Sequence, residues 1–209
     1  MTSPSVLTIG HSNHSLTQLV ALLRSTDVTA VADVRSQPFG RRHPDFNRDS
    51  LAETLERQGI AYVFLGRELG ARSQDPFCYE NGQVQYRKLT ETEQFKVGLK
   101  RVIGAATVYR PALLCAEKEP LDCHRTLLVS RALEATGVTV THIHANGNLE
   151  SHSDAMTRLL RLLSMPEADL YRSKEQLIAD AWAAQERRIA YVDEKMRARI
   201  GDAGFACRA

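Results

Sequence analysis

The sequence predicts an α/β fold, a three-layer sandwich with a mostly parallel central sheet of about five strands and a C-terminal helical extension. Three observations lead there. Short apolar runs recur near residues 6, 28, 60, 112 and 138, and stretches with helical spacing of apolar residues separate them. Each run is too short for a buried helix. Strands that alternate with helices need crossover connections, and the resulting parallel sheets are covered on both faces.

Val6-Leu7-Thr8-Ile9 is the first strand, stopping at Gly10-His11-Ser12. Leu16, Leu19, Val20, Leu22 and Leu23 then share one side of a helix that Ser15 or Thr17 can cap. Val28 to Val34 is the second strand and runs into Arg35. A polar loop with Pro38, Gly40 and Pro44 leads to a helix through Leu51 and Leu55, capped by Asn47 or Asp49 and closed by Gly59. Ile60 to Leu65 is the third strand. Residues 66–87 read as a long irregular connection, a length that in a compact domain often marks a lid. A helix is expected from Lys88 to Ala106, a strand over Ala112–Cys115, a helix over Leu121–Thr136 closed by Gly137, and a fifth strand over Val138–Ile143.

Residues 1–165 make the α/β domain in this reading, and residues 166–209 the extension. Ile178, Trp182, Gln185, Ile189, Val192 and Met196 form a helical seam there. It packs either on its own domain or on a second copy, as a homodimer.

Composition narrows the function classes. At 209 residues the chain suits one domain, and 43% hydrophobic with 25% charged residues is globular rather than disordered. A net charge of +2 gives no general affinity for nucleic acid. No basic stripe with interleaved aromatics runs along a helix, so extended nucleic acid is not the favoured partner. No apolar run nears the roughly 18 residues that span a bilayer, so no membrane is expected. The start Met1-Thr-Ser-Pro-Ser-Val lacks a signal-peptide pattern, and the four cysteines are too scattered for a disulfide scaffold. Cytoplasmic location with reduced thiols follows. The 21 arginines against 6 lysines reflect either base composition or anion recognition.

In open parallel sheets ligands sit beyond the carboxyl ends of the strands. Those ends carry His11 and Ser12, Asp33 and Arg35, Arg67, Cys115 and Glu117, and His142 and His144. Arg41, Arg42 and His43 lie in the loop after the second strand. Asp33 either orients His11 or pairs with Arg35. His142 and His144 read as exposed positions on an edge strand. The arginines are either a solvated face or a phosphate trap.

The densest chemistry lies in Cys115-Ala-Glu117-Lys-Glu-Pro120-Leu-Asp-Cys123-His124-Arg125. Cys115 reads as a small buried side chain or as a nucleophile. Cys123 at a helix start would have its thiolate favoured, His124 could take a proton or bind a metal, and Arg125 could clamp an oxyanion. A metal would need Cys115, Cys123 and His124 to converge, with Glu117 and His11 as further candidate ligands. Cys-x7-Cys-His is not a standard structural zinc spacing. Neither a Gly-x-Gly-x-x-Gly turn nor a Walker lysine loop is present, so no cofactor is predicted.

Thr8-Ile9-Gly10-His11-Ser12, Asp33-Val34-Arg35 with Pro38, and Cys115-Ala116-Glu117 with Cys123-His124-Arg125 resemble the domain-of-unknown-function family 488 over about residues 5–150. Phe46-Asn47 and Tyr62 to Gly66 match its pattern too. The resemblance implies one α/β domain with these motifs in one site, and no assigned activity. The family often has Leu-Gly-Gly after the third strand, where this chain has Leu69-Gly70-Ala71.

The resulting expectation is an enzyme acting on a small anionic ligand at the strand-end rim. His11, Asp33, Glu117, Cys115, Cys123 and His124 are its catalytic candidates. Ser12, Arg35, Arg41, Arg42, Arg67 and Arg125 are its substrate-binding candidates. The alternatives are a non-catalytic binding module for a phosphorylated ligand or nucleic acid, and a metal-dependent enzyme.

Overall fold

The computed structural model describes residues 4–197. Cys207 and the rest of the expected extension lie outside them. Eight strands are described: β1 (Ser5–Gly10), β2 (Ala30–Asp33), β3 (Ala61–Phe64), β4 (Tyr79–Glu80), β5 (Gln83–Val84), β6 (Pro111–Cys115), β7 (Thr139–Ile143) and β8 (Leu149–Ser151). Six build the central sheet in the order β3-β2-β6-β1-β7-β8, and all are parallel to their neighbours except β8. The helices are α1 (Leu16–Ser25), α2 (Arg48–Arg57), α3 (Gly66–Leu69), α4 (Tyr86–Glu91), α5 (Glu93–Ala105), α6 (Arg131–Glu134), α7 (His152–Leu162) and α8 (Lys174–Ile189). The architecture is α/β with C-terminal helices. Among the described residues no helix is long and apolar enough to cross a membrane.

Strand pleating creates two cores. Leu7, Ile9, Ala112 and Leu114 pack with Leu19 and Leu23 of α1 and Leu51 and Leu55 of α2. The alternate residues Val6, Leu113 and Cys115 face the other way, among Leu127, Leu133, Leu159 and Leu177. Cys115 therefore ends β6 on the face where the chain from Pro120 to Ser130 packs. This one parity decides which side of the sheet its thiol reaches.

The order of β2, β6 and β1 makes three motif-bearing ends neighbours. Gly10 is in register with Cys115, and Asp33 with Leu114. The ladder runs past the strands: His11 N donates to the Cys115 carbonyl at 2.9 Å and Val34 N to the Leu114 carbonyl at 3.0 Å. Gly10 is required here, because a Cβ at that position would overlap the Glu117 carbonyl.

Four expectations are corrected. Residues 66–87 are not irregular: they hold α3, a 3-10 turn and the β4–β5 hairpin, whose ladder is extended by Val84 N donating to the Tyr191 carbonyl at 2.9 Å. The helix expected from Lys88 divides at Thr92, whose extended backbone and hydroxyl cap α5 through Phe95 N. The stretch from Leu121 to Thr136 is a 3-10 turn, then a π-helix over Arg125–Ser130, then α6. Ser130 Oγ donates to the Arg125 carbonyl at 2.7 Å inside the π-turn. Finally, β8 and α7 cover the side of the sheet where His142 was expected to be exposed. His142 is fully buried, with Nδ1 2.8 Å from Thr8 Oγ1 and Nε2 3.2 Å from His152 Nδ1. A three-residue strand is too short to leave a period in sequence.

The helical seam of α8 packs on its own chain. Trp182 Nε1 donates to the Leu127 carbonyl at 2.6 Å, and Gln185 Nε2 to the Leu121 carbonyl at 3.0 Å.

Candidate functional site

Cys115 leaves β6, and Cys123 follows the 3-10 turn at Pro120–Asp122. The backbone of Cys123 is extended, so it precedes the helical segment rather than opening it. Glu119 caps that turn, accepting from Leu121 N at 3.0 Å, and swings Cys123 back toward β6. Cys115 Sγ and Cys123 Sγ lie on the same oxygen, Glu117 Oε2, at 2.9 and 3.0 Å. His124 Nδ1 lies 3.6 Å from the first sulfur and 3.9 Å from the second. The ligand atoms of Cys115, Glu117, Cys123 and His124 all fall within 4.8 Å of one another.

Second contacts hold this group. His124 Nε2 donates to the Val34 carbonyl at 3.0 Å, which leaves Nδ1 as the acceptor in the neutral ring. Arg125 is fully buried; its Nη1 donates to the Glu117 carbonyl at 2.7 Å, and its backbone N–H points at Cys123 Sγ, 3.4 Å away. Its Nε has no partner among the described residues.

The thiols differ. Burial raises Cys115 well above the ordinary thiol range, with Cys123 and Glu117 adding to it. Burial pushes Cys123 the same way, but the bond from Cys115 and the charges of Arg125 and His124 outweigh it and leave Cys123 well below that range. Glu117 is an exposed residue overall, yet its carboxyl tip sits between the thiols and is raised by burial and by Cys123. His124 is raised in spite of burial, through its bond to Cys123 and that residue's charge.

A cleft of about 380 Å³ opens over this floor. Cys115, Glu117 and His124 reach it, with His11, Arg35, Arg42, His43, Arg72 and Tyr191 among its walls. Cys123 and Arg125 lie beneath the floor, and Ser12, Arg41 and Arg67 are not among its lining residues.

Of the two partners open to Asp33 in the sequence, it meets Arg35 and not His11. Asp33 is fully buried and accepts from Arg35 Nη2 at 2.6 Å, Arg35 Nε at 2.9 Å, Arg35 N at 3.0 Å and Tyr62 Oη at 2.8 Å. That carboxylate is saturated, which leaves no place for His11. His11 instead stacks on Phe46 with ring centroids 4.5 Å apart, and Nδ1 donates to the Ser12 carbonyl at 3.1 Å. Burial, then the charge of Arg35, pushes His11 down to about 4. It is Cys115, and not His11, that joins Glu117, Cys123 and His124.

Several wall residues carried no sequence signal. Arg72 and Tyr86 belong to residues 66–87, which their length alone had marked. Tyr191 comes from beyond α8, with Arg72 over its ring at 4.6 Å. Close approach at the family's glycine turn falls on Gly70, where a Cβ would meet Ser36 Oγ at 2.5 Å, while Ala71 is part of the core.

Fold and site define a class: a parallel-sheet α/β protein with a Cys-Glu-Cys-His group at the carboxyl edge, under a cleft walled by cationic side chains. The model of the domain of unknown function DUF488 matches residues 15–132, more than half of the chain, and the chain belongs to that family. The match is narrower than residues 5–150: it includes Asp33 to Arg35 and Cys115 to Arg125 but not Gly10-His11-Ser12. No curated protein and no solved structure matches the chain.

Proposed function

We propose that the chain is an enzyme acting on a small anionic molecule, phosphate-bearing or nucleotide-like, bound in the cleft above Cys115, Glu117 and His124. One observation carries this reading: cationic walls and an ionisable floor share a single concave site at the carboxyl edge of the sheet. Arg42 and Arg72 are exposed on its walls, with His43 beside them. Arg35 contributes less, because Asp33 already offsets its charge. The volume, about 380 Å³, lies in the range of small-molecule sites. Free thiols at Cys115 and Cys123 suit a reducing compartment such as the cytoplasm.

Isothermal titration with inorganic phosphate and with adenosine 5′-monophosphate tests the binding half, using the wild type, Arg42→Gln and Arg72→Gln. Binding weakened tenfold or more by either substitution is the expected result; no binding of either probe overturns the reading. Turnover of phosphate monoesters, diesters and anhydrides, with Cys115→Ser and Cys123→Ser as controls, tests the catalytic half. Binding without turnover across that panel would favour a non-catalytic sensor.

A further inference from the structure

Two thiols, a carboxyl oxygen and a bare imidazole nitrogen converge on one point of the fold. In the metal-free protein only protons reconcile four lone-pair donors held so close together. We propose that Cys115, Cys123, His124 and Glu117 bind one divalent metal ion of the zinc class in tetrahedral geometry, which deepens the reading above by naming what acts at the floor of the cleft. It does not require the ligand to be an anion.

The distances fit. Around zinc, sulfur sits at about 2.3 Å and nitrogen at about 2.1 Å, so the sulfur–nitrogen edge of the tetrahedron is about 3.6 Å. His124 Nδ1 lies 3.6 and 3.9 Å from the two sulfurs. The Glu117 oxygen is nearer, at 2.9 and 3.0 Å, as hydrogen bonding to the thiols demands. It need retreat by only about half an ångström to complete the tetrahedron. Two thiolates, an imidazole and a carboxylate are a zinc-class donor set, whereas oxygen-only cations avoid sulfur.

The supporting contacts are of the kind metal ligands need. A ligating histidine donates its other ring N–H to a carbonyl or carboxylate, and His124 does so to Val34 at 3.0 Å. The Arg125 backbone N–H faces Cys123 Sγ. Charge supplies an independent argument. Two thiolates and a carboxylate around a doubly charged ion leave one net negative charge. Arg125 is a fully buried cation that forms no ion pair among the described residues, and it supplies the matching positive charge. Without an ion that burial has no anionic counterpart except a thiolate.

The ligands are not equivalent. Cys115, Cys123 and His124 are buried or half-buried, whereas Glu117 is exposed and lines the cleft. Glu117 is the displaceable ligand, and the cleft is the route by which an ion or a substrate atom reaches the fourth position.

Cobalt(II) titration of the reduced full-length chain tests this without knowledge of a substrate. The expected result is one ion per chain, with a near-ultraviolet thiolate-to-cobalt charge-transfer band and the intense visible bands of tetrahedral cobalt. Zinc should displace them. Cys115→Ser and Cys123→Ser should each weaken binding at least a hundredfold and diminish the charge-transfer band. Glu117→Gln should keep the band with a tenfold or smaller loss and shift the visible spectrum. Arg57→Gln, at the exposed end of α2, should leave cobalt affinity and spectrum unchanged. No charge-transfer band in the wild type overturns the proposal, and so does a band that persists in both cysteine variants. Should those variants fail to fold, protection of Cys115 and Cys123 of the wild type from alkylation by stoichiometric zinc decides it: protection supports the site and equal labelling overturns it. Phosphate binding with no cobalt band removes the metal site alone, whereas cobalt binding with no anion binding keeps it and removes the anion reading.

Discussion

His124 donates from Nε2 to the carbonyl of Val34 at 3.0 Å, across 90 residues of chain. This bond ties the Cys-His-Arg motif to the Asp-Val-Arg motif and fixes which ring nitrogen faces the thiols. The site is one structure because β2 and β6 are neighbours.

Gly10→Ala should be among the most damaging small substitutions. Its methyl would overlap the Glu117 carbonyl, a backbone atom that cannot swing aside, and would press on Arg125 Nη1 at 3.1 Å. Overpacking of this kind costs about 1–3 kcal/mol. Urea unfolding should show a loss in that range, and cobalt affinity should fall with it; an unchanged midpoint would mean that the loop relocates freely.

Asp33→Asn and Tyr62→Phe should separate cleanly. The first leaves the buried Arg35 without its anion, a change of about 3–5 kcal/mol. The second removes one bond to an ion, of about 1.5–3 kcal/mol, at a half-buried position. Denaturant titrations should rank them in that order. Equal small losses would show that water reaches Arg35.

Stability should fall in mild acid through His142 and His152. Burial, followed by the neighbouring Arg131, pushes His152 from 6.5 down to about 4. Burial and His152 push His142 well down, with Arg125, His144 and Arg158 adding to it. Both rings bind fewer protons folded than unfolded, so their contribution is complete above pH 6.5 and is lost as pH falls toward about 4. For His152 alone the loss is roughly 3 kcal/mol. His152→Phe should flatten the stability profile over that window, as measured by thermal unfolding at a series of pH values.

Arg125→Met should discriminate charge from packing. The substitution removes the buried cation and leaves the Glu117 carbonyl without its donor, a loss of about 1–3 kcal/mol in the metal-free protein. Cobalt affinity should fall at least tenfold as well, because the counter-charge is gone. A loss of stability with unchanged cobalt affinity would assign Arg125 a structural role only.

The fold was legible because parallel strands buried on both faces leave near-continuous apolar runs, as at Val6–Ile9 and Ala112–Cys115. β8 was not, because its three residues, with Leu149 exposed, carry no period. The π-turn was hidden for another reason. Its apolar spacing is that of an ordinary helix, and the wider turn shows only in the folded chain, where all six residues are buried and Ser130 Oγ donates to the Arg125 carbonyl.

Linear pattern alone was enough to name Cys115, Glu117, Cys123 and His124 as candidates and to place them at a strand end. It could not pair them. Whether Asp33 meets His11 or Arg35, and whether Cys115 joins Cys123, depends on strand order and on the parity of the pleat. Those are set by contacts between residues far apart in the chain, and no local spacing records them. Tertiary structure therefore left His11 on the cleft wall and gathered Cys115 with Glu117, Cys123 and His124.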